Sequence, residues 1–209
     1  MKRLLLVFTV LLGASGAASG QNVSGAYVGA SIGSISSQGL WNFPAVSSGT
    51  DIDTGPNGWI AGLNAGINWQ SGSTVFGIEG DIGSGPLTGT SPCLTTSECK
   101  NEIRALGSFR GRLGVVNQTA LVYATAGAAA GLVRATLNDN AGGASGDKSK
   151  AQLGWSAGLG VASPASRGWA WKAEWLHFDL GSADYDIAGT AARIQYRGDI
   201  LRLGLDYRF

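Results

Sequence analysis

Residues 59–70 alternate without a slip. Trp59, Ala61, Leu63, Ala65, Ile67 and Trp69 share one parity, and Ile60, Gly62, Asn64, Gly66, Asn68 and Gln70 share the other. Successive side chains of a strand face opposite sides, so this is a strand with one apolar face, closed by tryptophan at both ends, and one mostly small or polar face. The closing segment repeats the pattern: Leu201, Leu203, Leu205, Tyr207 and Phe209 stand against Arg202, Gly204, Asp206 and Arg208. Residues 151–161 set Leu153, Trp155, Ala157, Leu159 and Val161 against Gln152 and glycines; 169–175 set Trp169, Trp171, Ala173 and Trp175 against Lys172 and Glu174; 26–32 set Val28, Ala30 and Ile32 against Tyr27, Gly29 and Ser31. In 74–82 and 103–115 the face opposite Phe76, Ile78, Ile82, Phe109, Leu113 and Val115 carries Glu79, Asp81, Arg110 and Arg112. An eighth run, 121–132, is rich in alanine, and its glycines at 127 and 131 turn the odd positions inward.

Eight strands with an apolar outside and a small or charged inside predict an all-β fold, an eight-stranded antiparallel transmembrane up-and-down β-barrel. A soluble β-sandwich also alternates, but there the large residues crowd the interior and the polar face carries abundant Lys, Glu and Thr. The connections agree with a barrel. Those at 70–74, 117–120 and 163–168 are short, whereas 33–58, 83–101, 135–150 and 181–193 are long and rich in Gly, Ser, Asp and Asn. Short and long alternate strictly, as periplasmic turns and extracellular loops do. The long loops then lie outside the cell, both termini in the periplasm, and Trp59, Trp69, Trp155, Trp169, Trp171 and Trp175 form the aromatic girdles.

The chain opens with Lys2 and Arg3, an apolar run 4–12 and small residues 13–20, the layout of a secretory signal peptide. The expected organisation is a leader over 1–20 and a barrel domain over 21–209 in the outer membrane. Nine apolar residues are too few for a helical span. Fifteen basic residues, two of them in the leader, stand against fourteen acidic ones with no dense basic stripe, which excludes nucleic acid as the partner. Thirty-four glycines and seven tryptophans with few charges exclude disorder.

The phrases GAYVGASIG at 25–33, GWIAGLNAGINWQ at 58–70, VFGIEGDI at 75–82 and GSFRGRLGVV at 107–116 resemble the small porin-like barrels called outer-membrane immunogenic proteins, related to the OmpA-like barrels. LVYATAGAAAG at 121–131, LGWSAGLGV at 153–161, WAWKAEWLHFDLG at 169–181 and LRLGLDYRF at 201–209 follow in that family's order. The terminal Phe209 with Tyr207, Leu205 and Leu203 is similar to the signal read by the barrel-assembly machinery. The resemblance implies transit with periplasmic chaperones, residence among outer-membrane lipid and lipopolysaccharide, and loops open to an extracellular ligand.

Charges facing a narrow bore must pair, because desolvation makes a lone ion costly. Facing residues of a hairpin share a constant sum, so Asp81 opposite Arg110 puts Glu79 opposite Arg112, and nearly aligns Cys93 with Cys99. On the last hairpin, Lys172 opposite Asp206 leaves Glu174 diagonal to Arg202. With Arg208 these nine charges predict a salt-bridge plug; an ion path or gate is the alternative. Cys93 and Cys99, the only cysteines, lie close together in an oxidising compartment and predict a disulfide. No cofactor or metal set is evident. His177, the sole histidine, would serve a barrel hydrolase only beside a serine nucleophile, and none stands at a matching spacing. Its parity places it on the tryptophan face near the outer interface. Trp41, Phe43 and Pro44 in the first long loop either pack it onto the rim or form a partner patch. The expectation is a non-enzymatic structural or surface-interaction protein; a narrow channel for ions or small solutes is the alternative.

Overall fold

A computed structural model describes residues 22–42, 52–94, 97–139, 145–164, 167–187 and 190–209; the leader, Phe43 and Pro44 lie outside them. Eight long strands close a ring. They are β1 (Gly25–Asn42), β3 (Gly58–Ser71), β4 (Thr74–Ser84), β6 (Ser97–Val116), β7 (Leu121–Asp139), β8 (Gly146–Pro164), β9 (Trp169–Ile187) and β10 (Thr190–Arg208). Each pairs antiparallel with the next in this order, and β10 pairs with β1 from Tyr27↔Arg208 to Asn42↔Arg193. The predicted eight-stranded ring is therefore present. Two short strands, β2 (Ile52–Asp53) and β5 (Leu87–Leu94), are added beside β1 and β6.

β1 begins and β10 ends at one end of the barrel, called here the near end. The near-end turns are as short as expected: β3 and β4 are joined through Gly72, in the left-handed region at φ +62°, and Val116 and Leu121 flank the turn after β6. The far end departs from expectation. Most of the four long loops is strand: β1 runs on to Asn42, β7 to Asp139, and β9 and β10 form a hairpin out to Ile187↔Thr190.

The reason is legible along β10. Even positions face the bore throughout, but the chemistry of the two faces exchanges at Ile200. On the near side Arg202 and Asp206 point in and Leu201, Leu203 and Leu205 point out; beyond it Ile194, Tyr196 and Ile200 are buried inside and Arg193, Arg197 and Asp199 are outside. β9 exchanges in the same place, from Lys172 and Glu174 inside to Leu176, Phe178 and Leu180, and so does β6, from Arg112 and Arg110 to Leu106 and Ile103. A bulge at Arg104 keeps Ile103 inward although its parity in the sequence points out. The near half is thus a barrel for an apolar surround and the far half a barrel for water, with an apolar core.

The apolar belt spans residues 59–69 on β3 and 201–209 on β10, the nine to eleven residues a strand needs to cross lipid. Leu63 is 65% and Phe209 76% exposed on this belt. Its near rim is aromatic: Trp69 stacks on Phe76 at 5.5 Å, Trp169 meets Tyr207 at 5.1 Å, and Tyr207 meets Phe209 at 5.4 Å. Trp59 and Trp155 face outward near the far rim, Trp171 and Trp175 between. The odd positions of β7 face the bore, as its glycines suggested.

Candidate functional site

Eight charged side chains meet inside the near half, two each from β4, β6, β9 and β10. Glu79 is the hub. Its carboxylate accepts from Arg110 Nη2 at 2.8 Å, Arg112 Nη2 at 2.8 Å, Lys172 Nζ at 2.9 Å and the Tyr27 hydroxyl at 3.0 Å. Glu174 takes Arg202 through Nε at 2.7 Å and Nη2 at 2.6 Å, and the Tyr123 hydroxyl at 2.7 Å. Asp81 takes Arg110 at 2.7 Å, Arg202 at 3.2 Å and the Ser108 hydroxyl at 2.6 Å. Asp206 lies 3.4 Å from Lys172 and accepts from Asn64 Nδ2 at 2.9 Å. The Arg112 guanidinium also lies over the Tyr123 ring, 4.0 Å from its centre, a cation–π contact.

Four carboxylates thus meet four cations, and the set is neutral. This balance is what makes burial of so many ions tolerable, since every charge but Asp206 keeps two or more opposite partners, and Asp206 has Lys172 and the Asn64 amide. Inward glycines make the room. A Cβ on Gly160 would stand 2.3 Å from Tyr123 Cζ, and one on Gly66 2.4 Å from the Tyr27 hydroxyl oxygen.

All eight were singled out in the sequence, but the pairing was not. Glu79 faces Arg110, Gly77 faces Arg112 and Asp81 faces Ser108, a register displaced by two residues from the expected one. On the last hairpin Glu174 is directly opposite Arg202, while Lys172 faces Gly204 and is diagonal to Asp206. The cause is the connection: no tight turn pins β4 to β6, because the chain between them turns back as β5 against β6. The contacts that count also cross the bore. β4 and β9 lie on opposite sides of the ring, so the Glu79–Lys172 pair spans its diameter. Arg208 stands apart from the cluster and donates to the Asn22 carbonyl at 3.2 Å. The tyrosines at 27 and 123 were missed as members; each alternates inward, and that was the available signal.

Above and below this layer apolar side chains predominate, with buried Asn68 on the near side and Thr54, Asn101 and Gln152 on the far side. Val23, Val75, Val116, Leu121 and Tyr123 pack together at the near end. On the far side a larger core of Ile35, Leu87, Ile103, Leu180, Ile194 and Tyr196 fills the projecting half, and Trp41, expected in a loop, is fully buried in it. A cavity of about 40 Å³ separates core and charge layer.

The β5–β6 hairpin pairs Ser91 with Cys99 and Pro92 with Glu98, and is irregular between Pro92 and Leu94. Cys99 is buried, and among the described residues there is no free thiol; the side chain of Cys93 lies outside them. His177 faces outward near the far rim, with Nδ1 3.1 Å from Asp199 Oδ1 and its ring 5.6 Å from that of Trp155. Among the described residues no three His, Cys, Asp or Glu side chains are grouped to hold a metal.

A family model described as an outer membrane protein beta-barrel domain matches residues 4–209. The chain is 31% identical over 169 residues to a 25 kDa outer-membrane immunogenic protein of Brucella abortus, covering 81% of this chain and 73% of that one. It is 29% identical to a 31 kDa outer-membrane immunogenic protein of Brucella melitensis, covering 78% and 71%. Among solved structures the outer membrane protein OprG of Pseudomonas aeruginosa is similar in fold, with a TM-score of 0.59 at 11% identity over 89% of this chain and 96% of that one. Ring, apolar belt and relatives agree: the chain belongs to the outer-membrane β-barrel family and is an outer-membrane protein of the immunogenic-protein type.

Proposed function

We propose that this protein is a sealed barrel, a structural and surface-displaying component of the envelope and not an open channel or an enzyme. The carrying observation is the neutral cluster of four carboxylates and four cations that crosses the bore, with an apolar cluster on either side of it. A conducting pore of this strand number would need a continuous polar path, and eight strands leave room for little beyond side chains. In this reading the leader 1–20 directs export and is removed. The near end faces the periplasm, and the far half stands in the medium with its polar exterior available to an extracellular ligand. The terminal Leu203, Leu205, Tyr207 and Phe209 serve assembly, and the Cys93–Cys99 disulfide ties the tip of the β5–β6 hairpin. Outer-membrane lipid and lipopolysaccharide cover the belt.

Single-channel conductance of the refolded protein in a planar bilayer tests the proposal. Silence in the parent and steps in the variant Arg110→Ala, Arg112→Ala are the expected results; steady ion-selective steps in the parent would transfer the function to transport.

A further inference from the structure

Five cations and four carboxylates have inward parity in the near half, and the cluster cancels only eight of these charges. Arg208 is the ninth. It lies on β10 opposite Tyr27, partly buried and apart from the rest. Its Nη1 donates to the Asn22 carbonyl at 3.2 Å, and its Nε is buried without an acceptor. Among the described residues no carboxylate stands within 4.0 Å of its guanidinium. A cation drawn out of water with one carbonyl as its partner is costly, and an anion beside it would remove that cost.

The near mouth has a place for one. A pocket of about 10 Å³ lies between Tyr27, Asn68, Arg112, Leu121, Asp206 and Arg208, room for a single ligand of about the size of water. Its wall holds unused polar groups. Arg112 directs Nη2 at Glu79 at 2.8 Å, but its Nε, like that of Arg208, is buried without an acceptor. Asn68 is 3% exposed, and its Oδ1 has no donor. That oxygen lies against Gly77, where a Cβ would be 2.4 Å away, so the amide nitrogen is the end left to donate. Asp206 is already held by Lys172 at 3.4 Å and by the Asn64 amide at 2.9 Å. The wall thus sets two guanidiniums and an amide against one engaged carboxylate.

We propose that this pocket is a chloride site. N–H groups of Arg112, Arg208 and Asn68 hold one chloride ion, and Leu121 and the Tyr27 ring shield it from water. The bound ion brings the near half to five anions against five cations. A single negative charge matches the one uncompensated cation, and the small volume excludes sulfate, phosphate and carboxylate ligands. Chloride is slightly larger than water, and the partly buried Arg208 side chain takes up the difference. The site goes beyond the sealed-barrel reading and does not depend on it, since a conducting bore would leave the same groups in the same place.

The test uses the full mature protein refolded in detergent, with Arg208→Gln and Asn68→Asp alongside. Chloride replaces gluconate at constant ionic strength, so that general screening is fixed. Each response is read against that of Arg208→Gln, which cancels the effects that salts exert on any folded chain. Above the dissociation constant, each tenfold rise in chloride raises the folded-to-unfolded ratio of the parent about tenfold. Bromide acts like chloride, whereas sulfate affects parent and Arg208→Gln alike. The chloride NMR line broadens on adding the parent, and the excess broadening is lost in both variants. Asn68→Asp puts a carboxylate where the ion sits, so without chloride it matches the stability of the chloride-saturated parent and no longer responds to the exchange. A parent no more responsive to chloride than Arg208→Gln overturns the proposal, as does equal broadening in all three proteins. A specific response to sulfate as large as that to chloride overturns it too, and so does an Asn68→Asp variant that still gains stability from chloride.

Discussion

Replacing Glu79 by Gln removes the hub of the bore cluster without changing its volume. The carboxylate accepts four hydrogen bonds at 3.0 Å or less, three of them from cations. Its loss leaves four cations against three carboxylates in a side-chain-filled interior. At about 1.5–3 kcal/mol per hydrogen bond to a charged group the simple sum would exceed 6 kcal/mol. Arg110 keeps Asp81 at 2.7 Å, however, and Arg112 lies 3.6 Å from Glu174, so part of the loss is recovered. About 3–5 kcal/mol is the expected destabilisation, the range for removing one partner of a buried pair. In urea this moves the unfolding midpoint down by about 2 M at an m-value of about 2 kcal/mol per M. Tryptophan fluorescence of the protein refolded into vesicles follows the transition. The second variant, Glu79→Gln with Lys172→Met, restores neutrality and should recover at least half of the loss. A single variant within about 1 kcal/mol of the parent would refute the reasoning, as would a double variant no better than the sum of its parts, because either means that charge balance is not what holds the bore together.

Three further outcomes follow from named contacts. Gly160→Ala places a Cβ 2.3 Å from the Tyr123 ring and should cost about 1–3 kcal/mol by overpacking, read in the same unfolding assay and relieved by Tyr123→Phe only in so far as the hydroxyl is the obstacle. Deletion of Phe209, whose amide donates to the Ala26 carbonyl at 3.0 Å at the β1–β10 closure, should lower the yield of folded barrel in cells several-fold, measured by heat-modifiable electrophoretic mobility. Burial and, secondarily, the neighbouring Tyr185 push the Tyr196 phenol up, well above its ordinary value. The unfolded chain then ionises first, so the stability this residue confers is intact below about pH 10 and falls as pH rises further. Phenolate absorbance that develops only as the barrel unfolds confirms this, and Tyr196→Phe should flatten the alkaline loss.

The eight-membered ring was legible because lipid and a narrow bore impose opposite chemistry on successive residues over nine to eleven positions, a pattern that residues 201–209 carry throughout and 59–70 break only at Ile60. The members of the charge cluster were legible for the same reason: Glu79, Asp81, Arg110, Arg112, Lys172, Glu174, Arg202 and Asp206 all have inward parity, although Arg208 shares it and stands apart. The length of the strands was not legible. The extension of the strands past Ile200 was hidden because the surround changes from lipid to water there, and the exchange of apolar and polar faces looks like the end of a strand when only one phase is sought. The alternation of Ala192, Ile194 and Tyr196 with Arg193, Gln195 and Arg197 was nonetheless present.

Pairing partners were a different matter. Periodicity assigns a side chain to a face, and the sequence by itself therefore determined which residues meet lipid, which meet the bore, and that the bore charges nearly balance. It could not determine that Glu79 meets Lys172 across the full diameter, that Arg104 forms a bulge, or that β8 and β9 part above Trp155. Those depend on the stagger of the closed ring, which is set jointly by all eight strands and has no local signature in any one of them.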